Sequence, residues 1–139
     1  LFLVLYSKDD EHSLVSLREQ TDKLGEESFI YFVNRDQVEQ DLYISLLMKS
    51  DLYIGGSSRE IHLVAAMGKK HVGIYSPIKN QSVLRWGPTK IAGNQKLFVP
   101  DVVCGEDYTC AMGACPYFEC MAKIEVNDVL GKVASMLED

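Results

Sequence analysis

Residues 50–68 read Ser50-Asp51-Leu52-Tyr53-Ile54-Gly55-Gly56-Ser57-Ser58-Arg59-Glu60-Ile61-His62-Leu63-Val64-Ala65-Ala66-Met67-Gly68. Asp51 to Ile54 is a short apolar strand, Gly55-Gly56 a tight turn, and Arg59 to Met67 an apolar helix stopped at Gly68. A strand that enters a helix through glycine and serine aims backbone N–H groups at one point, with the positive end of the helix dipole behind them. Such a point suits an anion such as a pyrophosphate. Arg59 adds a guanidinium, which grips phosphate through two parallel hydrogen bonds. The same residues also allow a reading without ligand. Ser57 and Glu60 fit a capping box that satisfies the helix N–H groups locally, and the carboxylate competes for the positive potential. His62, one turn further in, suits either a packed core position or a ligand contact.

The pattern on either side alternates in the same way. Phe2 to Tyr6 is a continuous apolar run, as expected of a strand buried on both faces. Leu14, Leu17, Thr21 and Leu24 recur at helical spacing, with Gly25 as C-cap. Phe29 to Val33 is a second strand. Asn34 and Gln37 suit the start of a helix whose stripe is Val38, Leu42 and Leu46, with Tyr43 and Leu47 beside it. Val72 to Tyr75 is a fourth strand. From Ile78 to Asn94 the periodicity dissolves into a loop holding Trp86, Gly87 and Pro88, and Leu97 to Val99 is a short strand. Val126, Val129, Leu130, Val133, Met136 and Leu137 close the chain as an amphipathic helix. Apolar strands alternating with helices specify an α/β fold with a mainly parallel sheet. Ligands of such sheets bind outside the carboxyl ends of the strands. The turn Ser7 to Glu11, the turn Gly55 to His62 and the loop after Tyr75 lie on that edge.

The 139 residues suffice for one domain with a real core, read as a single domain over 1–139. A net charge of −6 argues against a nucleic-acid partner. No apolar run approaches ~18 residues, so no membrane span is expected. Leu1 to Leu5 follows neither an initiator Met nor a charged segment, so it is not expected to be a signal peptide. A chain that opens on a bare apolar strand is expected to be a fragment of something larger. Trp86 suits either a cover for a nucleotide base or an anchor that pins its loop.

Residues 101–120 form an irregular loop that holds Cys104, Cys110, Cys115 and Cys120, spaced C-x5-C-x4-C-x4-C. The paired C-x2-C knuckles of zinc ribbons are missing. Reduced packing thiols, a structural metal and two disulfides all stay open. No His lies nearby to complete a Cys–His nucleophile pair.

Asp51-Leu52-Tyr53-Ile54-Gly55, then His62-Leu63-Val64-Ala65-Ala66-Met67-Gly68-Lys69-Lys70, then Val72-Gly73-Ile74-Tyr75-Ser76-Pro77 resembles the C-terminal nucleotide-sugar domain of the heptosyltransferases, glycosyltransferase family 9. The helix before it and Cys120-Met121-Ala122-Lys123-Ile124-Glu125-Val126 are similar to the same family, so the resemblance covers nearly the whole chain. It implies a Rossmann-like domain, mainly parallel and flanked by helices, forming the C-terminal half of a GT-B enzyme. The implied activity is inverting transfer from an ADP-heptose-like donor in lipopolysaccharide or related surface-glycan synthesis. In the family an Asp-Ser/Thr-Gly-x-x-His turn touches the donor diphosphate and sugar. That turn falls on Ser57 to His62: Ser58 and His62 match, Ser57 stands for the acid and Arg59 for the glycine. The implied donor-binding residues are therefore Glu11, Gly55, Gly56, Ser57, Ser58, Arg59 and His62, with Glu11 near the ribose or base.

The resemblance further implies that no catalytic residue lies in this segment and that no cofactor is required. The acceptor-binding half would supply the base and bind the glycolipid or lipopolysaccharide-core acceptor. The implied location is cytoplasmic, with a peripheral position at the inner membrane allowed. Cysteine-bearing segments occur at this place in the family, which implies a structural brace. Two non-enzymatic readings compete: a degenerate family 9 domain serving as a scaffold, favoured by Ser57 and Arg59, and a metal-braced interaction module built on the cysteine loop.

Overall fold

The computed structural model describes residues 1–25, 30–89, 93–104 and 110–138. The chain divides into two compact units, Leu1–Leu46 and Leu47–Asp139. Both contain parallel strands with helices, so the fold is α/β, with two small parallel sheets among the described residues.

In the first unit, β1 (Phe2–Tyr6) pairs in parallel with β2 (Ile30–Asn34), from Phe2 against Ile30 to Tyr6 against Asn34. The expected start of β2 at Phe29 lies outside the described residues. Between the two strands runs α1 (Glu11–Asp22). The expectation that β1 is buried on both faces fails: Phe2 is 69% exposed and Leu3 39%. β1 has one partner strand in a two-stranded sheet, so its apolar run is not sandwiched as an interior strand would be. α1 also ends earlier than its leucine spacing suggests, with Lys23 as C-cap. Gly25, at φ 82°, turns the chain just beyond. Of the expected stripe only Leu14 is buried.

Asn34 does not cap the next helix. It is the last residue of β2, and its Oδ1 accepts the Asp36 N–H at 2.9 Å, a local turn that postpones the helix. That helix, α2 (Gln40–Lys49), then buries Tyr43 and Leu47 and leaves Leu42 56% exposed. The buried stripe is therefore the one beside the stripe the spacing suggested.

The second unit is built on β3 (Leu52–Gly56), β4 (Lys70–Ile74) and β5 (Gln95–Phe98), parallel and in that order. α3 (Arg59–Ala66) connects β3 to β4, and α5 (Val126–Glu138) closes the chain; both pack on β3 and β4. The core is Ile61, Val64 and Ala65 of α3, Val72 of β4, Tyr75 just beyond it, and Met136 of α5. Full burial of Ile61 and Val64 stabilises the unit by about 1.5–3 kcal/mol each. His71 is buried and satisfied: Nδ1 donates to the Lys69 carbonyl at 2.8 Å, and Nε2 accepts from the Gln95 amide at 3.2 Å. The segment read as loop after Ile78 contains a 3-10 turn at Lys79–Gln81 and a short helix, α4 (Val83–Trp86). Ser82 precedes α4 in extended conformation and Gly87 ends it. Residues 90–92 of that expected loop lie outside the described residues, as do 105–109 of the cysteine loop.

Candidate functional site

β3 runs two residues further than the glycines suggest, through Gly56, and α3 starts at Arg59. This moves the N-cap from Ser57 to Ser58 (φ −136°, ψ 168°), and Ser58 makes no side-chain cap bond. The expected Ser57–Glu60 capping box is therefore corrected: counted from Ser58, Glu60 falls one position short of the box. The Ser58 hydroxyl instead stands 3.4 Å from the Tyr53 hydroxyl. Tyr53 reaches it by lying across Gly55, where an added Cβ would come within 2.7 Å of the Tyr53 ring. Gly55 thus makes room for a tyrosine. At Gly56 a Cβ would make only ordinary contact, 3.5 Å from the Ile74 carbonyl oxygen.

Ser57, Ser58, Arg59 and His62 line one wall of a cleft of about 540 Å³. Asn80, Gln81 and Trp86 line the other. The first set follows the carboxyl end of β3, the second the carboxyl end of β4, which is the edge where open parallel sheets bind ligands. The volume lies within the roughly 300–1,000 Å³ of small-molecule sites.

The walls are held from beneath. The buried Tyr75 hydroxyl donates to the Trp86 carbonyl at 3.0 Å. Burial pushes the Tyr75 phenol above its ordinary value of 10.0, and neighbouring Tyr53 adds to the rise, so at neutral pH the phenol keeps the proton it donates. The Ser76 hydroxyl accepts the Ile78 N–H at 3.2 Å where the chain leaves β4. The Arg85 guanidinium lies 5.9 Å from the centre of the Trp86 ring, and Trp86 is 46% exposed.

Arg59 does not fill the cleft. Its side chain is 72% exposed, and one guanidinium nitrogen lies 3.5 Å from the buried Glu60 carboxylate. The wall therefore offers the N-terminus of α3, an accessible guanidinium, two hydroxyls and an imidazole, facing two amides and an aromatic ring. Chemically these groups suit an anionic group on one side and a polar, ring-shaped group on the other.

Four residues read from the sequence, Ser57, Ser58, Arg59 and His62, thus meet at one place, and Trp86 joins them. Gly55 and Gly56, expected as a tight turn, are instead the last two residues of β3, paired with Gly73 and Ile74, and do not line the cleft. Glu11 belongs to the first unit. It begins α1 and lines a hollow of about 360 Å³ with Tyr6, Leu14, Val15 and Arg18. There the Arg18 guanidinium stacks on Phe32 at 4.9 Å and donates to the Tyr6 hydroxyl at 3.3 Å. Asn80 and Gln81 were not legible as site residues, because their segment has no periodicity. Their only signal was their place after the carboxyl end of a strand.

No disulfide joins Cys104, Cys110, Cys115 or Cys120 in the structure. Among the described residues no group of three or more His, Cys, Asp or Glu stands close enough to hold one metal ion. No helix among them is long and apolar enough to cross a membrane. Compared with known proteins, the chain matches no family model, and searches of curated proteins and of solved structures give no significant match.

Proposed function

We propose that the chain is the nucleotide-sugar-binding domain of an inverting glycosyltransferase, the Rossmann-like C-terminal half of a GT-B enzyme of family 9. The proposed donor is an ADP-heptose-like nucleotide sugar and the proposed acceptor a lipopolysaccharide-type glycolipid. The observation that carries this reading is the cleft that unites Ser57, Ser58, Arg59 and His62 with Asn80, Gln81 and Trp86.

The chemistry follows from charge. As the bond to the anomeric carbon breaks, negative charge grows on the departing nucleoside diphosphate. Backbone N–H groups at the start of α3, the Ser58 hydroxyl, His62 and the Arg59 guanidinium stabilise that charge where it develops. The acceptor hydroxyl attacks from the opposite face with inversion. The base that takes its proton belongs, in this reading, to the acceptor-binding half of the enzyme.

The scaffold alternative rests on Arg59 and Glu60, which lie 3.5 Å apart at the helix start and partly neutralise one another. Amide NMR during titration with ADP, UDP and GDP separates the two readings. Donor binding produces saturable shifts at residues 55–62 and around Trp86. Amides that stay still with all three nucleotides favour the scaffold reading.

A further inference from the structure

Two tyrosines lie beneath the candidate cleft, and two glycines make room for them. Gly55 of β3 stands beside Gly73 of β4 in the parallel register. The Tyr53 ring lies over Gly55 and the Tyr75 ring against Gly73, so that a Cβ at either glycine would come within 2.7 Å of a ring atom. Residues two apart along a strand share a face. Both rings therefore lie on one face of the sheet, the face that Ile61 of α3 covers above Gly73. Each hydroxyl then reaches a different wall of the cleft. Tyr75 donates to the Trp86 carbonyl on the β4 side at 3.0 Å. The Tyr53 hydroxyl stands 3.4 Å from Ser58 Oγ on the α3 side.

Ser58 is the N-cap residue of α3, yet its hydroxyl makes no cap bond with its own helix. It lines the cleft instead, whereas Tyr53 does not. A hydroxyl carries one proton and two acceptor lone pairs. Phosphate oxygens of a nucleoside diphosphate only accept, so Ser58 can serve one only by giving it that proton. The lone pairs of Ser58 Oγ are then left for a donor behind it, and the Tyr53 hydroxyl is in place to be that donor. A donor behind the serine also strengthens the bond in front, because linked hydrogen bonds polarise one another. The 3.4 Å separation is longer than the roughly 2.7–2.8 Å usual between hydroxyls. Such contacts are commonly long in an unliganded site and tighten once the ligand is bound.

We propose that Tyr53 is a positioning residue for the donor site: its hydroxyl donates to Ser58 Oγ and turns the Ser58 proton toward the diphosphate of the bound nucleotide. Tyr53 does not touch the nucleotide, and no bond other than a hydrogen bond is made or broken. The proposal rests on the nucleotide-sugar reading of the cleft.

The test compares ADP with adenosine, UDP with uridine and GDP with guanosine, each titrated against Trp86 fluorescence. The proteins are the wild type, Tyr53→Phe, Ser58→Ala and the double variant. Tyr53→Phe keeps the ring over Gly55 and removes only the hydroxyl. Diphosphate affinity is expected to fall about three- to tenfold in Tyr53→Phe, the size of one net hydrogen bond. The nucleoside, which has no phosphate, should bind as it does to wild type. In the Ser58→Ala background Tyr53→Phe should cost nothing further, since the two hydroxyls act as one chain. Should Ser58→Ala not fold, the contrast between diphosphate and nucleoside in Tyr53→Phe still decides. The proposal is overturned if Tyr53→Phe binds the diphosphate as tightly as wild type, if it loses diphosphate and nucleoside to the same degree, or if the losses of the two single variants add. Any of these in a wild type that binds a nucleoside diphosphate leaves the donor-site reading standing. A folded wild type that binds none of the three overturns both.

Discussion

Gly73 lies in the middle of the central strand β4, under the helix that begins at the candidate cleft. A methyl group there would stand 2.6 Å from Leu97 Cδ2, 2.7 Å from Tyr75 Cε2 and 2.8 Å from Ile61 Cδ1. The leucine and isoleucine contacts are flexible ends that can swing aside. The tyrosine contact is part of a rigid, fully buried ring that also holds the Trp86 carbonyl. Gly73→Ala must therefore displace Tyr75 or lift α3. Overpacking of this kind costs about 1–3 kcal/mol, and the involvement of a ring places it in the upper half of that range. Gly131, inside α5, is the opposite case. A methyl there meets nothing within 4 Å, so Gly131→Ala should stabilise by about 0.5–1 kcal/mol through helix propensity. Urea unfolding followed by the fluorescence of Trp86, the single tryptophan, reads the second unit directly. Opposite shifts of the two midpoints at unchanged slope are expected. A Gly73→Ala midpoint equal to that of wild type would refute the close packing of α3 on β4.

Tyr75→Phe removes the hydroxyl that holds the Trp86 carbonyl; a loss of about 0.5–1.5 kcal/mol is expected in the same unfolding assay, with weaker nucleotide binding as the far wall loosens. Arg59→Gln should weaken nucleoside diphosphate binding about tenfold by calorimetry, the low end for a charge-assisted bond because the guanidinium is largely exposed; an unchanged affinity would remove Arg59 from the site. Asp10 is held below its ordinary 3.8 mainly by the Ser7 hydroxyl and then by the Ser7 N–H, with Arg35 adding to the effect. A lowered carboxylate contributes stability above its ordinary value and loses it as pH falls through the folded one. The stability gap between wild type and Asp10→Asn should therefore close as pH drops below 3.8, as followed by circular dichroism.

The strands were legible because their apolar runs are short and punctuated by glycine and serine. The helix at residues 59–66 was legible because Ile61, Val64 and Ala65 repeat at helical spacing. Burial was less legible. The run Phe2 to Tyr6 looks like an interior strand, but which strands stand beside β1 is set by tertiary pairing and not by local pattern. Asn34 carries cap chemistry that equally makes a turn, and the turn prevails. Within the cleft, the residues on the β3 side announced themselves through glycine, serine and a helix start. Asn80 and Gln81 belong to a 3-10 turn after β4 and carry no periodic signal. That all four cysteines line one hollow was equally hidden, because their spacing fits several connectivities and only the fold sets where they lie.

The most direct measurement is the fluorescence of Trp86 during titration with ADP. Because Trp86 is the single tryptophan and lines the cleft, a bound nucleotide should change its emission saturably, and Arg59→Gln should shift that curve to higher ADP. A folded chain whose emission does not respond to ADP, UDP or GDP would contradict nucleotide binding in this cleft.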